Sequence, residues 1–163
     1  VVLARHQSRG LMGFIESRFT RMGREINREK TRVVDLKESG ASLDFLGYTF
    51  RWDRDLKGRE QRYLNVCPSK KARVREREKL HAMTDARPCW KPIPELIGEL
   101  NRQLRGWANY FSYGYPRAVF RKINWYVLDR LTQPVRRRSQ RPFRPPEGMT
   151  YYEQFRRMGL VNL

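Results

Sequence analysis

Residues 100–114 carry two patterns on one helix. Leu100, Leu104, Trp107, Ala108 and Phe111 recur at the spacing of a single helical face, so one side of this stretch has to be buried. Asn101, Arg102, Arg105, Asn109, Tyr110 and Tyr113 set hydrogen bonds, positive charge and flat rings beside that face. A helix that only filled a core has no use for the second set. A helix lying on RNA does: arginine for phosphates, asparagine for base edges, aromatic rings for unpaired bases.

The rest of the chain supports a polyanionic partner. Its 163 residues, 39% hydrophobic and 12% aromatic, suffice for one packed domain or two small ones. The formal net charge is +18, a self-repulsion most readily tolerated when a polyanion neutralises it. The excess is uneven: residues 1–50 hold 9 basic and 6 acidic residues, residues 51–163 hold 26 and 11. Arginine outnumbers lysine 27 to 8, and arginine both pairs with phosphate through two hydrogen bonds and stacks on bases. The competing reading is a generic solvated basic surface. Cys67, Cys89, His6 and His81 do not have the spacing of a metal site, and no metal is expected. No apolar run approaches the ~20 residues that span a bilayer, and no signal peptide is visible. A cytoplasmic protein without membrane contact is expected.

Val1–Ala4 reads as a short strand already under way, as in a piece of a larger protein. Residues 8–21 place Leu11, Phe14, Ile15 and Phe19 on one helical face, ended by Met22-Gly23. Thr31–Val34 reads as loop into strand. Leu43–Trp52 reads as one strand, with Leu43, Phe45, Gly47 and Thr49 on one side and Asp44, Leu46, Tyr48 and Phe50 on the other. Arg62–Cys67 pairs with it across a long polar connection, and Gly47 marks a bulge or a close backbone approach. Ser69 caps a helix to about Met83 whose apolar residues are Ala72, Val74 and Leu80. A second helix starts at Pro94 and stops at Gly114. A third starts at Pro116 and fades near Gln133-Pro134, and Tyr151–Met158 forms a last short one. The expectation is an α+β chain: short antiparallel strands with a helix over 1–67, a three-helix bundle over 68–135, and a basic extension with a short helix over 136–163.

The ordered motifs resemble those of bacterial group II intron-encoded reverse transcriptases. Phe45-Leu46-Gly47-Tyr48-Thr49-Phe50 is similar to their primer grip, and Asn27-Arg28-Glu29-Lys30-Thr31 to the motif before it. Residues 104–111, LRGWANYF, are similar to the maturase signature of the thumb, often called domain X. Arg121–Val127 and the Arg-rich run after it fit the third thumb helix. The resemblance implies the end of a palm followed by a thumb/maturase domain, in a protein that binds intron RNA, assists splicing and clamps template–primer during RNA-directed DNA synthesis. It implies intron RNA and template–primer duplex as partners, with target DNA and a separate fingers–palm piece as further ones. The Tyr-x-Asp-Asp motif that would hold two Mg²⁺ ions in an intact polymerase is not in this sequence, so no catalytic residue or cofactor is assigned to this chain alone. Asp53 and Asp55 read as a solvated turn. The His/Cys-rich nuclease of some relatives is likewise not in it, and no endonuclease activity is expected.

On this resemblance Lys30 matches a general acid of the intact enzyme, against a plain phosphate contact or surface ion pair in this chain. Phe45, Leu46, Gly47 and Tyr48 would meet the primer end or simply pack on the thumb. Lys70, Lys71, Arg73, Arg75 and Arg77 would follow phosphates along a groove, against the ordinary solvated face of a charged helix. Arg102, Arg105, Asn109, Tyr110 and Tyr113 are the candidates for RNA contact on the central helix. Arg136, Arg137, Arg138, Arg141 and Arg144 would order on RNA or target DNA, against a solvated tail. Trp107, Phe111, Phe120, Ile123 and Tyr126 are assigned to the core. Two other readings stay open: a subunit of a split polymerase, active only with a fingers–palm piece, and a general basic nucleic-acid-binding module.

Overall fold

The computed structural model describes Val2, Ala4 and residues 9–55, 61–85, 91–137 and 144–163. The strand expected over 1–4, together with His6, Cys89, Arg138 and Arg141, lies wholly or mostly outside them. The chain forms two compact units, Val1–Asp35 and Leu36–Leu163. Both boundaries expected from the sequence, at 67 and at 135, fall inside the second unit.

The first unit holds helix α1, Leu11–Arg21. Gly23, at φ +67°, ends it: its N–H reaches the Thr20 carbonyl and that of Arg24 reaches Phe19, both at 2.9 Å. Thr31–Val34 is not a strand. Val33 and Val34 are exposed, and no strand lies beside them among the described residues of this unit, so the backbone has nothing to pair with.

The second unit opens with a three-stranded antiparallel sheet in the order β1 (Ser42–Phe45), β2 (Tyr48–Arg54), β3 (Arg62–Pro68). The single strand expected over 43–52 is two strands. The chain reverses at Leu46-Gly47, where both residues have positive φ, +49° and +82°, as a two-residue type I′ turn requires. Gly47 is therefore a turn residue and not a bulge. The reversal also changes the faces. Phe45 pairs with Tyr48 and Leu43 with Phe50; directly opposed residues share a face. Across β3, Phe50 opposes Val66 and Trp52 opposes Leu64. One face is thus apolar. The other carries the Arg51–Asp53 ion pair at 2.9 Å and the Asn65 amide on Asp53 at 2.6 Å.

The helices follow: α2 (Lys70–Met83), α3 (Ile93–Tyr110), α4 (Arg117–Arg137) and α5 (Tyr151–Arg157). The Ser69 hydroxyl accepts from the Ala72 N–H at 3.2 Å and caps α2. α3 ends at Tyr110, a turn earlier than expected, because Phe111 turns its ring into the core and Gly114 takes φ +85° to redirect the chain. α4 does not fade at Pro134. Pro134 forfeits one backbone hydrogen bond, but Leu131 and Val135 are fully buried on either side of it, and that burial carries the helix across. Thr150 and Glu153 form a reciprocal capping box at the start of α5.

One core joins them: Leu80 from α2, Leu96 to Trp107 from α3, Val119 to Val135 from α4, and Phe155 from α5. Trp107, Phe111 and Ile123 are buried in it as expected, with Phe120 and Tyr126 packed at its edge. Val74 is not part of it. It stands two residues off the buried row Ala72–Glu76–Leu80, on the solvent side.

Two glycines make opposite predictions. A Cβ on Gly114 would lie 2.3 Å from the Val66 carbonyl oxygen, while one on Gly106, on the outer face of α3, would meet nothing within 4 Å. Gly114→Ala should cost at least about 2 kcal/mol in denaturant melts, from overlap and positive φ together. Gly106→Ala should gain roughly 0.5–1 kcal/mol by helix propensity. Equal stabilities for the two variants would contradict this packing.

Candidate nucleic-acid interface

The outward face of α3 follows from its inward one. Burying Leu96, Ile97, Leu100, Leu104 and Trp107 turns Arg102, Arg105 and Asn109 together into solvent. None of the three has an ion pair among the described residues, where the pairs are Arg28–Glu16, Arg51–Asp53 and Lys91–Glu99. Their charge and hydrogen-bonding capacity are open to a ligand.

Asn101 belongs elsewhere. Its amide donates to the Gly159 carbonyl at 2.8 Å and accepts from the Val161 N–H at 2.9 Å, so it straps the C-terminal segment to α3. Tyr110 is divided between two tasks. Its hydroxyl donates to the Leu46 carbonyl at 2.9 Å, and its own carbonyl accepts from the Tyr48 hydroxyl. The two rings stack with centroids 6.0 Å apart, yet Tyr110 remains more than half exposed. This exchange latches the Leu46-Gly47 turn to the end of α3. The Phe111 ring tip is 3.3 Å from where a Gly47 side chain would begin, which gives the close approach expected of that glycine. Burial pushes the Tyr48 hydroxyl above the ordinary tyrosine range, so it stays a donor throughout the neutral range. Leu46, at the tip, is 67% exposed and held at positive φ, an unfavourable conformation for leucine. Such strain is a common mark of a functional position. Phe45 is partly exposed beside it, and Tyr113 is 71% exposed just beyond α3.

The basic run on α2 is not one row. Lys70, Arg73 and Arg77 fall on one flank, and the Arg77 guanidinium lies 5.1 Å over the Tyr126 ring of α4. Lys71 and Arg75 fall on the other flank, in line with Lys79 at four-residue spacing and on the side of α3. Arg73 is half-buried against the Ser69 carbonyl; the other four are exposed.

The remaining candidates are scattered. Lys30 sits in the first unit, on an exposed turn where its N–H bonds to Asn27. Arg136 is exposed in the last turn of α4, 5.1 Å over the Tyr151 ring. Arg137 is the last residue of α4, so these two belong to a helix and not to a loose tail. Arg144 is exposed, and Arg138 and Arg141 are outside the described residues.

Residues 74–152 match the family described as group II intron, maturase-specific domain. That segment is similar to a group II intron maturase-specific domain. The match runs from within α2 through α3 and α4 to the start of α5, so the face bearing Arg102, Arg105 and Asn109 lies wholly inside it. No curated protein matches the chain. Among the described residues, no helix of this chain is long and apolar enough to cross a membrane.

Glu76 was hidden in the sequence as one of the few acids answering a basic run. It is 2% exposed, with one carboxylate oxygen on the Gln103 amide at 2.8 Å and the other unpartnered. Its place four residues from both Ala72 and Leu80 is the signal that could have revealed it. Burial raises its pKa above the usual carboxylate value, while the Gln103 bond and the Lys79 charge pull it down. The folded state therefore holds this proton more tightly than the unfolded chain, and stability falls as pH rises from the ordinary carboxylate range through the raised value. Glu76→Gln should remove that slope. Its melting temperature should coincide with the parent's near about pH 4 and exceed it near about pH 8, measured by circular dichroism. Parallel profiles would show that Glu76 ionises without cost.

Proposed function

We propose that this maturase domain binds structured group II intron RNA through the outer face of α3 and the adjacent flank of α2. The observation that carries the reading is the set Arg102, Arg105 and Asn109: two arginines without carboxylate partners and one free amide, side by side on a solvent-facing helix within the maturase-specific segment. Arginine supplies paired hydrogen bonds to phosphate, and the amide reads exposed base edges. Lys71, Arg75 and Lys79 extend the positive field along α2, so most of the affinity is electrostatic and weakens steeply with salt. In this role the domain holds the intron in a splicing-competent shape.

A second task rests on the latched turn. Leu46, exposed and strained at the end of α3, is where a template–primer duplex would meet the protein, and Tyr110 would fix the turn in register with the RNA-binding face. Target DNA and a fingers–palm piece are the further partners of that reading.

The test is a salt-series titration of the chain against structured intron RNA, duplex DNA and single-stranded RNA. Preference for structured RNA that persists at raised salt is expected. Arg105→Ala combined with Asn109→Ala should weaken that binding by about tenfold or more, with thermal stability changed by less than about 0.5 kcal/mol because both side chains are exposed. Equal binding to all three nucleic acids, erased together by salt, would reduce the surface to a general basic module.

A further inference from the structure

The outward face of α4 has its own chemistry. α4 buries Val119, Ile123, Val127, Leu131 and Val135. Its other side presents Arg117, Arg121, Lys122 and Trp125, all exposed. Trp125 is 66% exposed, although tryptophan is among the residues with most to gain from burial. Nothing in the core requires it there. Arg121 and Lys122 stand one turn before it, at four- and three-residue spacing, so the three side chains form one patch, with Arg121 about 6 Å from Trp125 along the axis. Arg117 continues the row a further turn back. None of the three cations has an ion pair among the described residues. The acid on this side, Asp129, is one turn beyond the ring and accepts from the Gln133 amide at 3.1 Å.

We propose that the Arg117–Arg121–Lys122–Trp125 face of α4 is a second nucleic-acid site, which takes unpaired RNA with a base stacked on Trp125 and its flanking phosphates on Arg121 and Lys122. Charge complementarity selects the occupant: three uncompensated cations around one flat apolar ring suit a strand that offers both phosphates and free base faces. A duplex offers phosphates but keeps its bases stacked inside. The site rests on the RNA-binding reading above and extends it. The face of α3 grips folded RNA, and that of α4 holds a single-stranded segment of it.

The full chain would be titrated with an unstructured oligoribonucleotide and with an RNA duplex of matched length. Trp125→Ala should weaken binding of the single strand by about tenfold and leave the duplex nearly unchanged. Trp125→Phe should recover most of the loss. Arg121→Ala with Lys122→Ala should lower the dependence of binding on salt for the single strand. A thermal melt of each variant confirms that the fold is retained, as exposure of all three side chains leads one to expect. Unchanged single-strand binding in both Trp125→Ala and the double variant would overturn the proposal and leave the face to a protein partner. Equal losses on strand and duplex would also overturn it. Loss of structured-RNA binding in the Arg105/Asn109 variant, with α4 variants behaving as the parent, would sustain the α3 reading while removing this one. A parent chain that bound no RNA would remove both.

Discussion

The second unit is organised around the buried side of α3. Leu96, Ile97, Leu100, Leu104 and Trp107 lie along one stripe, and Phe111 closes its end. α2 is fixed against it by the Gln103–Glu76 bond, the C-terminal segment by Asn101, and the hairpin turn by Tyr110 and Phe111. With that stripe committed to the core, the direction of every other side chain on the helix is set. The arginines at 102 and 105 face outward as a geometric consequence of where the leucines go. The packing constraint thus comes first, and the recognition surface is its remainder.

Electrostatics sets the second condition. A chain of net charge +18 with few ion pairs among its described residues carries its positive charge largely unneutralised. Surface ion pairs contribute little to stability in any case, so leaving arginines unpaired costs the fold little while keeping them available to phosphate. Glu76 shows the other side of this arrangement. The acid best placed to answer the α2 lysines and arginines is drawn into the interior, which leaves both flanks of that helix net positive.

Much of this architecture is legible in the sequence because it is local. The Ser69 cap, the apolar row of α3 and the short helix after Gly148 all rest on neighbours a few residues apart, and each appears in the structure. What escapes the sequence is long-range. Leu46-Gly47 is not a habitual type I′ pair, and leucine enters the left-handed region there while partners on α3 hold the turn. Asn101 looks like a recognition residue until its partners at Gly159 and Val161 are known. Pro134 looks like a terminus until Val135 is seen to be buried. The candidate surface follows the same division: periodicity places Arg102, Arg105 and Asn109 in solvent, but assigns Tyr110 to the same side without revealing that its hydroxyl is already engaged.

The exchange between Tyr48 and Tyr110 joins segments 62 residues apart in the chain. The Tyr48 hydroxyl needs the Tyr110 carbonyl and the Tyr110 hydroxyl needs the Leu46 carbonyl, while the Phe111 ring and a positive φ together disfavour a side chain at Gly47. Turn and helix end are therefore a single structural module. A chimera that took α3 from one such protein and the hairpin from another would have to carry both halves of the latch.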